Sequence, residues 1–169
     1  DVDGFHPVNV GKLYLNDTTN YPVSCTPKGI MTMFKAYGIS LKSKNAVVLG
    51  RSAIVGKPMA ALMLNEAASV SILHRLTKDI SEYTKNADII VSATGHLHTL
   101  TKDDVKEGAV VIEVGQNINE SGHLVGDVDY DDMFDKVGYI TPVPGGVGPM
   151  TIATLMQQSV DLAEWSINK

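Results

Sequence analysis

The stretch "NAVVLGRSAIVGKP", residues 45–58, decides the fold. An apolar run, Asn45–Leu49, breaks into Gly50, and "KPMAALMLNEAA" (57–68) follows as a good helix former. A strand that turns through glycine into a helix presents backbone N–H groups beside the positive end of the helix dipole. That arrangement suits a pyrophosphate. Gly50 permits a tight turn, Ser52 offers a hydroxyl with its N–H, and Gly56 lets the helix pack on the sheet. The spacing departs from the common G-x-G-x-x-G pattern. Ser52 holds the third position, and Gly56 falls one place late. On spacing alone, a nucleotide loop and a plain strand-to-helix turn stand even.

The surrounding chain repeats the pattern. Short runs rich in Val and Ile occur at "AVVLG" (46–50), "SVSIL" (69–73), "DIIVSAT" (88–94), "AVVIEVG" (109–115) and "GYITP" (138–142). They mostly lack polar/apolar alternation, as strands covered on both faces do. Alternation with helical stretches predicts an α/β fold: a Rossmann-like, doubly wound, mostly parallel sheet. Residues 1–27 are rich in turn formers and are expected to be irregular. In "TPKGIMTMFKAYG" (26–38), Thr26 is the expected N-cap, Pro27 the first helical residue and Gly38 the stop. Ile30, Met33, Phe34 and Tyr37 share its apolar face. "GPMTIATLMQQSVDLAEWSIN" (148–168) reads as a long amphipathic helix, with Ile152, Leu155, Met156, Ser159, Leu162 and Ala163 on one face.

Composition narrows the function. The chain has 169 residues, 44% apolar and 20% charged, which suits one domain with a sizeable core. A net charge of -5 argues against nucleic acid as the main partner. No apolar run reaches the roughly 20 residues that span a bilayer, so no membrane association is expected. The lone Cys25 cannot form an internal disulfide, which fits a reducing, cytoplasmic setting.

Several loops carry the chemistry. NAD-binding folds tend to end the second strand on a carboxylate that bonds the ribose 2′-hydroxyl. Here "HRLT" (74–77) supplies Arg75 and no acid, and Arg51 sits in the first loop. Two guanidinium groups without an acid favour a 2′-phosphate, hence NADP, with NAD remaining possible. "VSATG" (91–95) brings Thr94 and Gly95 to the end of the third strand, and "VIEVG" (111–115) brings Gly115 to the end of the fourth. Ligands in such folds lie across the carboxyl ends of the strands. "TPVPGGVGPMT" (141–151) packs three prolines and three glycines into eleven residues, a stiff loop that opens the last helix. His96 and His98 lack a third ligand at metal-binding spacing, so no metal is expected. Cys25 has no local activating base, and no residue pair reads as a general acid and base.

Taken together, "DVDGF", "CTPKGI", "GRSAIVGKP", "ADIIV", "GAVVIEVG", "VGDVDY" and "TPVPGGVGPMT" resemble, in this order, the bifunctional 5,10-methylenetetrahydrofolate dehydrogenase/5,10-methenyltetrahydrofolate cyclohydrolase enzymes. The resemblance covers essentially the whole chain, and "PVPGGVGPMT" is its most specific part. It implies a two-domain enzyme of one-carbon metabolism, usually a homodimer, that takes tetrahydrofolate derivatives in a cleft between its domains. The carboxyl-terminal domain holds NADP, or NAD in some members. The amino-terminal domain carries a Y-x-x-x-K motif with the catalytic lysine. No lysine lies four residues after any tyrosine here, so no catalytic residue is expected in this chain. On this reading residues 1–27 cross between domains, 28–169 bind NAD(P), and 149–167 form a helix that packs on the catalytic domain. By position, Gly50, Arg51, Ser52, Arg75, Thr94, Gly95, Gly115 and Gln116 match the cofactor side. Asp3, Gly145, Gly146, Val147, Gly148, Pro149, Met150 and Thr151 match the folate side. "EVGQN" (113–117) stands where "DVGIN" is usual, and "ATGHLHTL" (93–100) where "AVGKPGF" is usual. Two other readings remain open: a stand-alone nucleotide-binding module, and the Rossmann half of a shikimate-dehydrogenase-like enzyme.

Overall fold

In the computed structural model, β1 (Asn45–Leu49) lies between β2 (Ser69–Leu73) and β3 (Ile89–Ser92), and the sheet continues through β4 (Val110–Glu113) to β7 (Tyr139–Ile140). The structure describes residues 1–167. All four pairings are parallel, with Ala46 opposite Val70 and Ile89, and Val111 opposite Ile140. The chain runs from β1 outward to β2, then crosses back to β3 on the other side. That reversal puts a topological switch point between β1 and β3, where such sheets open a crevice at their carboxyl ends.

Alternation within the strands explains why they look apolar throughout. Ala46, Val48, Ile89, Val91, Val110 and Ile112 face one layer of core with Ile30, Phe34, Met59 and Met63. Val47, Leu49, Ile90 and Val111 face the other with Leu73, Leu100, Val105 and Met133. Both faces of β1, β3 and β4 are covered, so these central strands are apolar, whereas edge strand β2 leaves Ser69 and Ile72 exposed. The helices are α1 (Pro7–Tyr14), α2 (Cys25–Ala36), α3 (Gly56–Asn65), α4 (Ser81–Thr84), α5 (Tyr130–Met133) and α6 (Val147–Ile167). A small antiparallel hairpin, β5 (Asn117–Ile118) with β6 (Leu124–Val125), follows β4.

The structure corrects three local expectations. Residues 1–27 are not wholly irregular, because α1 forms there. Pro7 starts it, and the His6 ring nitrogen Nδ1 accepts the Val8 N–H. Gly11 in its middle hides it from propensity. Helix α2 begins one residue before Thr26, with Ser24 at its N-cap. The last helix begins at Val147, two residues before the expected boundary at 149. Its apolar stripe stands outward, with Ile152 65% and Met156 67% exposed, while α6 buries Val147, Thr154 and Gln158 on the opposite side. The reason is the partner. Helix α2 crosses α6 at Gly29, where an added Cβ would stand 3.1 Å from Thr154 Oγ1, so small and polar groups fit the crossing. Buried Gln158 then binds the amino-terminal segment. Its Nε2 donates to the carbonyls of Val2 (2.5 Å) and Val23 (2.8 Å), and its Oε1 accepts from Val23 N and Lys28 Nζ.

Candidate functional site

Two of the clefts across the carboxyl ends of the strands gather the candidate residues. The first, of about 520 Å³, opens over β1, β2 and β3. Gly50 makes it possible. Its φ is +116°, and a Cβ there would stand 2.5 Å from the carbonyl oxygen of Ala93, so only glycine lets the loops after β1 and β3 nest. Gly56, the first residue of α3, would collide through any Cβ with the carbonyl oxygen of Gly50. Ser52 Oγ accepts the N–H groups of Val55 (3.1 Å) and Gly56 (3.3 Å). The hydroxyl therefore shapes the entry to α3, and its own proton stays free to donate outward.

Gly50, Arg51, Ser52, Arg75 and Thr94 all line this first cleft. Arg51 and Arg75 are exposed and form no ion pair among the described residues. Lys78, which sequence reasoning missed, joins them in the lining, and no carboxylate does. Its signal was available one residue beyond "HRLT". That turn is rigid: the His74 N–H donates to Thr77 Oγ1, and His74 Nδ1 accepts the Leu76 N–H. His96 faces the same cleft. Gly95, with φ +68°, is exposed beside Thr94 but does not line it.

The second cleft, also about 520 Å³, opens over β4 and β7. Gly115, Gln116, Gly145, Gly146, Val147, Gly148, Pro149 and Thr151 line it, together with Thr26, Glu113 and Leu124. Met150 is half-buried behind the wall, and Asp3 is exposed near the chain start; neither lines this cleft. Thr26 Oγ1 and Thr151 Oγ1 lie 2.9 Å apart, which ties α2 to α6 at the rim.

Between the clefts sits Asp127, fully buried. Its Oδ2 accepts from Ser92 Oγ (3.0 Å) and Thr94 N (2.7 Å), and its Oδ1 accepts from Asn117 Nδ2 (3.0 Å). It thus joins the ends of β3 and the hairpin. Nearby Glu113 is 2% exposed; burial first, then the charge of Asp127, push its carboxyl up to about 7. Sequence reasoning missed both acids, because nothing in the pattern marks a carboxylate as buried. Cys25 is buried at the start of α2. Burial, reinforced by the charge of Asp3, raises its thiol above the ordinary value, so it is no activated nucleophile. Among the described residues no cluster of three His, Cys, Asp or Glu could hold a metal, and no helix is long and apolar enough to cross a membrane.

An open parallel sheet with a glycine-turned, cation-lined crevice at its switch point defines a doubly wound dinucleotide-binding domain. The comparison with known proteins makes it particular. The chain belongs to the tetrahydrofolate dehydrogenase/cyclohydrolase family: the model of that family's NAD(P)-binding domain matches residues 24–167. The bifunctional protein FolD of Pediococcus pentosaceus is 59% identical over 167 residues, covering 99% of this chain and 59% of the relative. The crystal structure of FolD from Campylobacter jejuni superposes with a TM-score of 0.95 at 53% identity, over 97% of this chain and 58% of that one. Trypanosoma brucei FolD, solved with NADP cofactor and inhibitor, gives 0.93 at 37% identity over 100% and 60%. The chain therefore spans under two thirds of the length of the relatives it matches. Shikimate dehydrogenase from Thermus thermophilus shares the fold alone, with a TM-score of 0.59 at 17% identity.

Proposed function

We propose that this chain is the NADP-holding part of an enzyme that oxidises 5,10-methylenetetrahydrofolate to the 5,10-methenyl form and hydrolyses that to 10-formyltetrahydrofolate. The single observation that carries the cofactor choice is the acid-free first cleft, where Arg51, Arg75 and Lys78 converge on the end of β2. A guanidinium pair matches a 2′-phosphate, whereas a ribose 2′-hydroxyl calls for a carboxylate acceptor. The backbone amides at Gly50–Ser52 and the start of α3 take the pyrophosphate. The second cleft, with Gly115, Gln116 and the 145–151 loop, takes the nicotinamide end and the folate. NADP bound this way supplies the hydride acceptor.

This chain contributes orientation, which is worth many orders of magnitude in rate when a hydride donor and acceptor must meet. The acid in the second cleft's lining, Glu113, is 2% exposed with its carboxyl turned into the protein, so it is not placed as a catalytic base, and the proton chemistry falls to residues outside this chain. The exposed stripe on α6, with Ile152, Met156 and Val160 each more than half exposed, packs on the catalytic domain in this reading. A homodimer and a cytoplasmic setting belong to the same proposal.

Titrating the protein with NADP and with NAD tests it. NADP should bind at least about tenfold more tightly, as charge-assisted contacts to one phosphate provide. Equal affinities would remove the 2′-phosphate assignment.

A further inference from the structure

Glu113 closes β4 with its carboxyl turned inside the protein, 2% exposed. Its Oε2 accepts the Val128 N–H at 2.8 Å, while Oε1 has no hydrogen-bond partner among the described residues. The titratable group facing it is Asp127, two residues after the return strand of the hairpin. The neighbouring strands bring only hydroxyls: Ser92 from β3 bonds Asp127, and Thr141, just after β7, accepts the Glu113 N–H. No cation pairs with either acid among the described residues.

Two glycines make room for this pair. A Cβ on Gly126 would collide with the Glu113 carboxyl, and a Cβ on Gly115 with the Asp127 carboxyl. The two feet of the hairpin, Gly115 and Gly126, are thus pressed onto two buried acids. Asp127 has three donors. Glu113 has the Val128 N–H, a smaller contribution from the Asp127 N–H, and a bare Oε1, so burial favours its protonated form. A neutral Glu113 is the less costly occupant of this seat. An ionised one sets a second negative charge against Asp127 with nothing to solvate Oε1, and lifting the hairpin foot to admit water relieves it.

We propose that Glu113 is a positioning residue: protonated, it fastens the 115–126 hairpin to the end of β4 and so holds Gly115 and Gln116 in the wall of the second cleft, and losing the proton loosens that wall. The consequence for ligand binding rests on the reading that this cleft takes the nicotinamide end of NADP. The carboxyl is held up to about 7, so the change falls within the ordinary working range of pH.

The test has a ligand-free arm and a binding arm. The Val128 amide and the Glu113 carboxyl carbon are followed by NMR from pH 5.5 to 9, in the wild type and in Glu113→Gln. Glutamine keeps the acceptor for Val128 and the neutral shape. Both wild-type signals should titrate together near pH 7, and the Val128 amide of the variant should stay flat. NADP affinity should fall about tenfold across that range in the wild type, a usual size for coupled sites, and no more than about twofold in the variant. Any pH effect on the ligand's own phosphates is common to both proteins and cancels. Parallel pH profiles, or a Val128 amide that does not move, overturn the proposal. A Glu113 carboxyl that titrates below pH 5 overturns it from the wild type alone, even if the variant does not fold. Absence of NADP binding at any pH overturns the cofactor reading instead, and the Val128 titration still decides the role of Glu113.

Discussion

The two clefts are equal in volume and opposite in construction. The first gathers exposed cations, Arg51, Arg75 and Lys78, around a backbone turn. The second is walled by glycines and prolines and rests on two buried acids, Glu113 and Asp127. Exposed charge can be spent on a ligand phosphate because it is not committed to the fold. Buried carboxyls are committed: they join β3, β4 and the hairpin, and they fix where a wall stands. One cleft is built for affinity, the other for position.

The largest expected effects probe how rigid each cleft is. In Gly56→Ala the new methyl meets the main-chain carbonyl of Gly50, which is itself fixed against Ala93. Nothing there can yield cheaply, so the variant should lose about 3–4 kcal/mol in urea unfolding, together with NADP binding. In Gly126→Ala the new methyl meets the end of the Glu113 side chain, which can shift only by giving up its bond to Val128. That variant should lose about 1–2 kcal/mol. Equal losses would mean that the second cleft is as unyielding as the first.

Next in size is a pH dependence that belongs to the second cleft alone. Folding raises the Glu113 carboxyl from its ordinary 4.5 to about 7. Between those values the folded protein keeps a proton that the unfolded chain has released. The stability Glu113 contributes is therefore complete below pH 4.5, is lost as pH rises to about 7, and is level above that. Comparing Glu113→Gln with the wild type by chemical denaturation should show the gap shifting by about 3 kcal/mol in favour of the variant over that window. A pH-independent gap would return Glu113 to an ordinary ionised carboxylate. Asp127→Ala should then cost about 2 kcal/mol, because Ser92, Thr94 N–H and Asn117 lose their acceptor. Part of the penalty returns as Glu113 loses its charged neighbour.

The same division explains what the sequence made legible. The three central strands of the sheet were visible because both their faces are buried, which leaves apolar runs, and the edge strands β2 and β7, only partly buried, were visible by their alternation with helices. The first cleft was visible because a guanidinium announces itself by residue type and a switch-point turn by Gly50. The second was visible as the proline–glycine loop 141–151 and as Gly115 and Gln116 after the fourth strand. Its acids were not, because Glu113 and Asp127 look in sequence like surface residues, and only the packing of Gly115 and Gly126 against them reveals their burial. The β5–β6 hairpin was missed for its shortness, two residues a side. The face that α6 buries in this chain was not legible, because apolar periodicity finds an apolar stripe but not what covers it. In this chain α2 takes Thr154 and Gln158, and the stripe is left outward.

The smallest effect tests the first cleft most selectively. Arg75 is exposed on the turn after β2 and makes no ion pair among the described residues, so its removal should leave stability within about 0.5 kcal/mol. Its effect should appear only with ligand. Arg75→Ala should weaken NADP by about 1–2 kcal/mol, the loss of a charge-assisted contact diminished by solvent, and leave NAD nearly unchanged. Raising the salt concentration should narrow the difference between wild type and variant for NADP, because an exposed charge pair is screened over about 8 Å at physiological ionic strength. Equal losses for the two cofactors would place Arg75 on the pyrophosphate or the adenine instead. The 2′-phosphate would then rest with Arg51 and Lys78, and the charge of the first cleft would serve affinity without selecting between the cofactors.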